Sequence, residues 1–183
     1  MSWMGRLTPL IATLILACPG WLDATLEPGV GSFEFTIPRS GQTITVHYVM
    51  AETYNPANPP VMVFHGMLRN PDEYRDAWIG PANELGLFVV APYFSAEQFP
   101  GTESYNLGNL FASESDLTMK PEAVWSYPVP GEVFDYLKRP GGETTATGYL
   151  AFGHSAGSQY LHRKIALSPD PRLLFIVAAN SGW

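Results

Sequence analysis

A serine set between two glycines, Gly153-His154-Ser155-Ala156-Gly157, is the stretch of this chain with the most chemistry in it. A G-x-S-x-G turn between a buried strand and a helix strains the serine backbone and lifts its hydroxyl above the sheet, the posture of a nucleophile in acyl transfer. Both flanks fit. The apolar run Tyr149–Phe152 ends just before the turn, and the stretch from Ala156 to Leu167 carries Leu161 and Ile165 on one face. Arg163 and Lys164 fall in its last turns, where cations favour the helix dipole. Gly153 and Gly157 stand where a Cβ would collide with the neighbouring strand and helix. The bland alternative for Ser155 is a helix N-cap, which serine favours; the glycines and the strand–turn–helix context point to a nucleophile instead.

A second turn complements the first. His65-Gly66-Met67 follows the apolar run Val61–Phe64, and in such an arrangement a backbone N–H of this loop joins the N–H of the residue after the nucleophile to form an oxyanion hole. Gly66 lets the loop approach closely, leaving the Met67 and Ala156 amides as the expected donors, each worth about 2.7–4 kcal/mol in a transition state. None of the four histidines reads as the base. His65 and His154 belong to the two turns and are expected to pack or bond locally. His162 lies about 10 Å along the helix from Ser155, and His47 sits in a hairpin far from the strand ends.

The elements that must position these turns are legible as patterns. Phe33–Ile37 and Thr43–Val49 alternate with period two around Pro38-Arg39-Ser40-Gly41, which predicts an antiparallel hairpin. Four nearly continuous apolar runs follow, Val61–Phe64, Leu87–Ala91, Tyr149–Phe152 and Leu173–Ala179. Such runs fit strands of a parallel sheet buried on both faces. Between the first two, Pro71 to Gly86 has helical spacing with Pro81 expected to kink or restart it. Phe94 to Lys120 reads as a loop leading to a helix centred on Glu132 to Lys138. A hairpin followed by strand–helix units is an α/β fold with helices on both faces of a mostly parallel sheet, and ligands bind beyond the carboxyl ends of its strands. Aromatic side chains concentrate between Tyr93 and Tyr136; they suit either an apolar pocket wall or loops packed on their own rings.

Composition removes several classes of function. The 183 residues carry 10 Lys and Arg against 17 Asp and Glu, a formal charge of -7. Without a basic run, neither nucleic acid nor an anionic membrane surface is an expected partner. One cysteine, Cys18, precludes an internal disulfide, a Cys-based zinc site and an iron–sulfur cluster. No G-x-G-x-x-G follows a strand, no G-K-[ST] occurs and no H-E-x-x-H spacing is present. No cofactor or metal is therefore expected. Residues 1–24 read as an export signal, with Arg6 before the apolar stretch Leu7–Leu16, too short to span a bilayer. Ile15-Leu16-Ala17-Cys18 also resembles a lipoprotein signal, which would anchor Cys18 to lipid; otherwise the mature domain, residues 25–183, is secreted or periplasmic.

With these residues in hand the chain resembles the α/β-hydrolase superfamily, and within it the secreted bacterial esterases related to polyhydroxybutyrate depolymerases. The resemblance rests on Val61-Met62-Val63-Phe64-His65-Gly66, Val89-Val90-Ala91-Pro92, the Ser155 turn and Ala178-Ala179-Asn180-Ser181-Gly182-Trp183. It implies a serine hydrolase acting on small or polymeric carboxylic esters through an acyl-enzyme. In this fold the order is Ser, then an acid, then His. After Ser155 the chain offers only Asp170 and His162. Asp170 precedes the last strand, at the wrong end of the sheet. The resemblance places the acid and the base after further strands, so the chain is expected to be incomplete at its C-terminus, to lack a full triad, and to end its sheet on an apolar edge open to association. The rival reading, from another class, is a hydrolase-like scaffold that binds without catalysis.

Overall fold

The computed structural model describes residues 25–113 and 115–181. The expected export signal, Cys18, and the final Gly182-Trp183 lie outside the described residues.

Six strands form one sheet in the order β1-β2-β4-β3-β5-β6. The hairpin is β1 (Gly29–Thr36) and β2 (Thr43–Met50), antiparallel with Phe33 opposite Val46. It is longer than the alternating core of its sequence suggests. The four apolar runs become β3 (Val61–Phe64), β4 (Phe88–Pro92), β5 (Tyr149–His154) and β6 (Leu173–Ala179). β4 pairs antiparallel with β2, and β3, β4, β5 and β6 run parallel to one another. The mostly parallel α/β architecture read from the sequence is therefore the observed one.

Side chains alternate between two apolar layers. On one face Phe35, Val46, Met62, Phe64, Phe88, Val90 and Ala151 pack with helices α3 (Val129–Leu137) and α4 (Ala156–Leu167). On the other, Val49, Val61, Val63, Val89 and Ala91 meet α1 (Pro71–Asp76) and α2 (Ile79–Leu85) through Tyr74, Trp78 and Ala82. Each fully buried Val, Leu or Phe contributes about 1.5–3 kcal/mol by leaving water, so β3 and β4, buried on both faces, anchor the molecule.

Two expectations are sharpened. The helical stretch 71–86 breaks at Ala77 and Trp78 and restarts as α2, with Pro81 in the first turn, where its missing N–H costs nothing. α2 ends at Gly86 in the left-handed conformation, φ 66°. Of the two expectations for the run Leu173–Ala179, burial on both faces fails and the apolar edge holds: β6 is the edge of the sheet, and Phe175 and Val177 are 64% and 45% exposed.

Candidate active site

Ser155 occupies the turn between β5 and α4 with φ 55° and ψ −117°. A side chain rarely accepts this conformation, which costs about 1–3 kcal/mol. Its hydroxyl makes no capping bond to the helix it precedes, so the N-cap alternative does not account for the serine. The turn is tight on both sides. A Cβ on Gly157 would lie 2.2 Å from the Phe64 carbonyl oxygen, and one on Gly153 would lie 2.4 Å from that of Gly157. The helix therefore starts directly against strand β3, and glycine is required at both positions.

The second turn stands beside the first because β3 and β5 are neighbours, Phe64 opposite Gly153. A Cβ added to Gly66 would be 3.8 Å from Ser155 Cβ. Ala156 is buried at the start of α4, while Met67 is 47% exposed. Among the described residues neither the Met67 N–H nor the Ala156 N–H has a hydrogen-bond acceptor. The structure thus brings together the serine and both turns that sequence reasoning selected.

His65 is fully buried, and both of its ring nitrogens are committed. Phe94 N–H donates to Nε2 at 3.1 Å, which leaves the proton on Nδ1 to be donated to the Gly66 carbonyl at 3.0 Å. Burial, reinforced by the nearby Arg69 charge, lowers its pKa to about 4. It is a neutral strut, not a base. His154 Nδ1 lies 3.0 Å from the Tyr74 hydroxyl, and its Nε2 faces the Asn180 amide at 3.5 Å. His47 sits on β2, its pKa lowered by burial and then by Arg75. His162 lies at the end of the second turn of α4, the seventh residue beyond Ser155. Asp170 bonds the Tyr149 hydroxyl at the amino end of β5 and pairs with Arg172, away from the serine turn.

Several supporting residues escaped sequence reasoning. The Tyr105 hydroxyl donates to the His65 carbonyl at 2.8 Å. Arg69, a non-glycine residue at φ 57°, buries its guanidinium over the Tyr105 ring and donates to the carbonyls of Phe94, Phe99 and Gly101. These contacts clamp the 65–67 turn to the loop that follows β4. Asn106 donates to Gln159 at 2.7 Å, and Gln159 donates to the Ser181 carbonyl, bracing the first turns of α4. The pocket reading of the aromatic-rich region is corrected. Phe94, Phe99, Tyr105, Tyr127 and Phe134 are core residues that pack on one another and on Tyr160 under the two turns. Among the described residues no group of three or more His, Cys, Asp or Glu could hold a metal, and no helix is long and apolar enough to cross a membrane.

Poly(aspartic acid) hydrolase-1 from Sphingomonas sp. KT-1 is 36% identical and superposes over 86% of this chain and 58% of its own, with a TM-score of 0.78. The chain has an α/β-hydrolase fold. A second structure of the same kind is LpqC, a poly(3-hydroxybutyrate) depolymerase from Bordetella parapertussis, 33% identical over 86% of this chain and 53% of that one, TM-score 0.76. A dienelactone hydrolase-like protein from Klebsiella pneumoniae, at 19% identity and TM-score 0.55 over 82% of this chain and 59% of its own, shares the fold alone. No protein-family model and no curated protein sequence matches the chain. This α/β-hydrolase chain spans between one half and three fifths of the length of the first two proteins, whose names place its neighbours among polymer hydrolases.

Proposed function

We propose that this chain carries the nucleophile and the oxyanion hole of a serine hydrolase that cleaves carboxylic esters through an acyl-enzyme. Ser155 is the nucleophile, and the Met67 and Ala156 amides are the oxyanion donors. One observation supports this above the others: Ser155 is held at φ 55° without any capping bond in return, a strain that makes sense as a presented hydroxyl. Ser155 Oγ bonds to the ester carbonyl carbon, the carbonyl electron pair moves onto oxygen, and the two N–H groups receive that charge. Collapse expels the alcohol, which takes up a proton, and water then releases the acid and restores the serine. The base that carries the Oγ proton, and the acid that orients it, are roles the described residues leave open.

Met67 and the 86% exposed Leu68 beside the oxyanion turn form an apolar lip, which favours an apolar ester, small or polymeric. The two similar structures are named for poly(aspartic acid) and for poly(3-hydroxybutyrate), so an amide-linked polymer is the comparison substrate. We place the mature protein outside the cytoplasm, released or held by lipid at Cys18, on the strength of residues 1–24. The test is labelling of the full-length gene product with a fluorophosphonate, followed by hydrolysis of p-nitrophenyl esters and of the two polymers. Labelling at Ser155, lost in Ser155→Ala, with ester turnover is the expected result. Labelling that persists in Ser155→Ala would sink the assignment.

The second reading, a hydrolase-like scaffold that only binds, draws on the commitments of His65 and His154 to other partners. Ester binding by the full-length product without labelling or turnover would favour it.

A further inference from the structure

We infer that Tyr74 is a positioning residue whose hydroxyl, bonded to His154 and set against Gly66, fixes the spacing between the two turns that carry the oxyanion donors. The inference rests on the Ser155 reading above and names the part that tunes it.

Strand pairing spaces the two turns at their base, where Phe64 stands opposite Gly153. The donor amides of Met67 and Ala156 lie beyond the last paired residues, where the ladder no longer acts. Each turn is then held from its own outer side. Phe94 and Tyr105 hold the 65–67 turn, and the Ser155 N–H donates to the Ala179 carbonyl of β6 at 3.1 Å. Tyr74 connects the two. Its oxygen is 3.0 Å from His154 Nδ1, and it lies 2.9 Å from the point a Gly66 Cβ would occupy. The phenol reaches this place from a braced support. Arg75, next to it on α1, donates to the Gly31 and Tyr48 carbonyls of the hairpin.

An oxyanion hole works when its donors stand about 2.7–3.1 Å from the developing charge, and a displacement of about 1 Å costs on the order of 100-fold. A hydroxyl seated between the two donor turns is therefore placed to act on rate more than on binding. Its effect passes through the amides and not through contact with substrate.

The experiment follows phosphonylation of Ser155 in the full-length gene product by an alkyl fluorophosphonate. In that step the Oγ–P bond forms, fluoride leaves, the Oγ proton passes to the enzyme's base, and the phosphoryl oxygen occupies the oxyanion position. Tyr74→Phe removes only the hydroxyl. It is expected to lower kinact about 10- to 100-fold while KI stays within about two-fold and the unfolding midpoint stays near that of the parent. His154→Ala is expected to match it, the double variant to be no slower than either single one, and His154→Asn, which restores a polar atom near Nδ1, to recover part of the loss. Phosphonylation of Tyr74→Phe at the parent rate would overturn the inference, as would multiplied losses in the double variant. Should Tyr74→Phe fail to fold, His154→Ala against His154→Asn decides: equal rates overturn it. A parent protein unlabelled at Ser155 would overturn the nucleophile reading, and this inference with it.

Discussion

The Cα of Gly157 stands so close to Phe64 that a Cβ there would come within 2.2 Å of the Phe64 carbonyl oxygen. Helix α4 and strand β3 meet at this point without room for a methyl group. Gly157→Ala is therefore expected to destabilise the protein by about 1–3 kcal/mol or more through overpacking and to displace Ala156, reducing fluorophosphonate labelling. Gly80→Ala is the control. Gly80 lies in α2 with open space around it, and the change should stabilise by about 0.5–1 kcal/mol. Denaturant melts of both variants check this.

The strain at Ser155 gives an effect of opposite sign. Ser155→Gly relieves about 1–3 kcal/mol of backbone strain and returns about 0.5–1 kcal/mol in chain entropy. Its melting temperature should rise by about 2–4 °C as labelling disappears. A midpoint below that of the parent would refute the strain account.

His65 predicts an acid limb. The folded protein keeps the ring neutral down to about pH 4, whereas the unfolded chain takes a proton below 6.5. Stability is then lost as the pH falls from 6.5 through 4, by up to about 3 kcal/mol. His65→Gln should start from a lower stability but lose less over that interval. The difference between the two proteins isolates this residue from His47, which shifts in the same direction. Urea titrations across pH 4 to 7 measure it.

Lys164 supplies the alkaline counterpart. Burial lowers its pKa to about 8, against the pull of Asp170 at 3.7 Å. The penalty for burying its charge is present below 8 and relieved between 8 and 10.5, so its contribution to stability rises with pH in that window. Lys164→Met should lack this rise. It should be no less stable than the parent at pH 7, because Asp170 keeps its bonds to Arg172.

Edge strand β6 predicts association. Phe175 and Val177, paired with Leu150 and Phe152, point to one face and are exposed. The chain spanning residues 25–183 is expected to self-associate with concentration, and Phe175→Lys with Val177→Lys to return it to a monomer by light scattering.

The sheet and the serine turn were readable because their signals are local. Unbroken apolar runs, an alternating hairpin and glycines at fixed offsets each announce a backbone requirement within a few residues. What escaped was long-range. Nothing near Arg69 in sequence distinguishes a buried clamp from a surface arginine, since its partners come from the loop after β4. Tyr74 falls within the stretch of helical spacing from Pro71 to Gly86, and only the fold brings its hydroxyl to His154, 80 residues away. The aromatic cluster stayed ambiguous for the same reason: rings that line a pocket and rings that fill a core have the same composition. The edge position of β6 was legible by another route: the resemblance placed further strands beyond it, and the structure puts it at the end of the strand order.

That strand order also sets an order of assembly. β3 pairs on one side with β4, which follows soon after it, but its other side awaits β5, which begins only at Tyr149. The hairpin closes over a short turn, whereas β3 meets β5 only across residues 65–148, a long loop that must be ordered before the pairing rewards it. The serine turn closes with that pairing, so the site is a late product of folding wherever the chain folds.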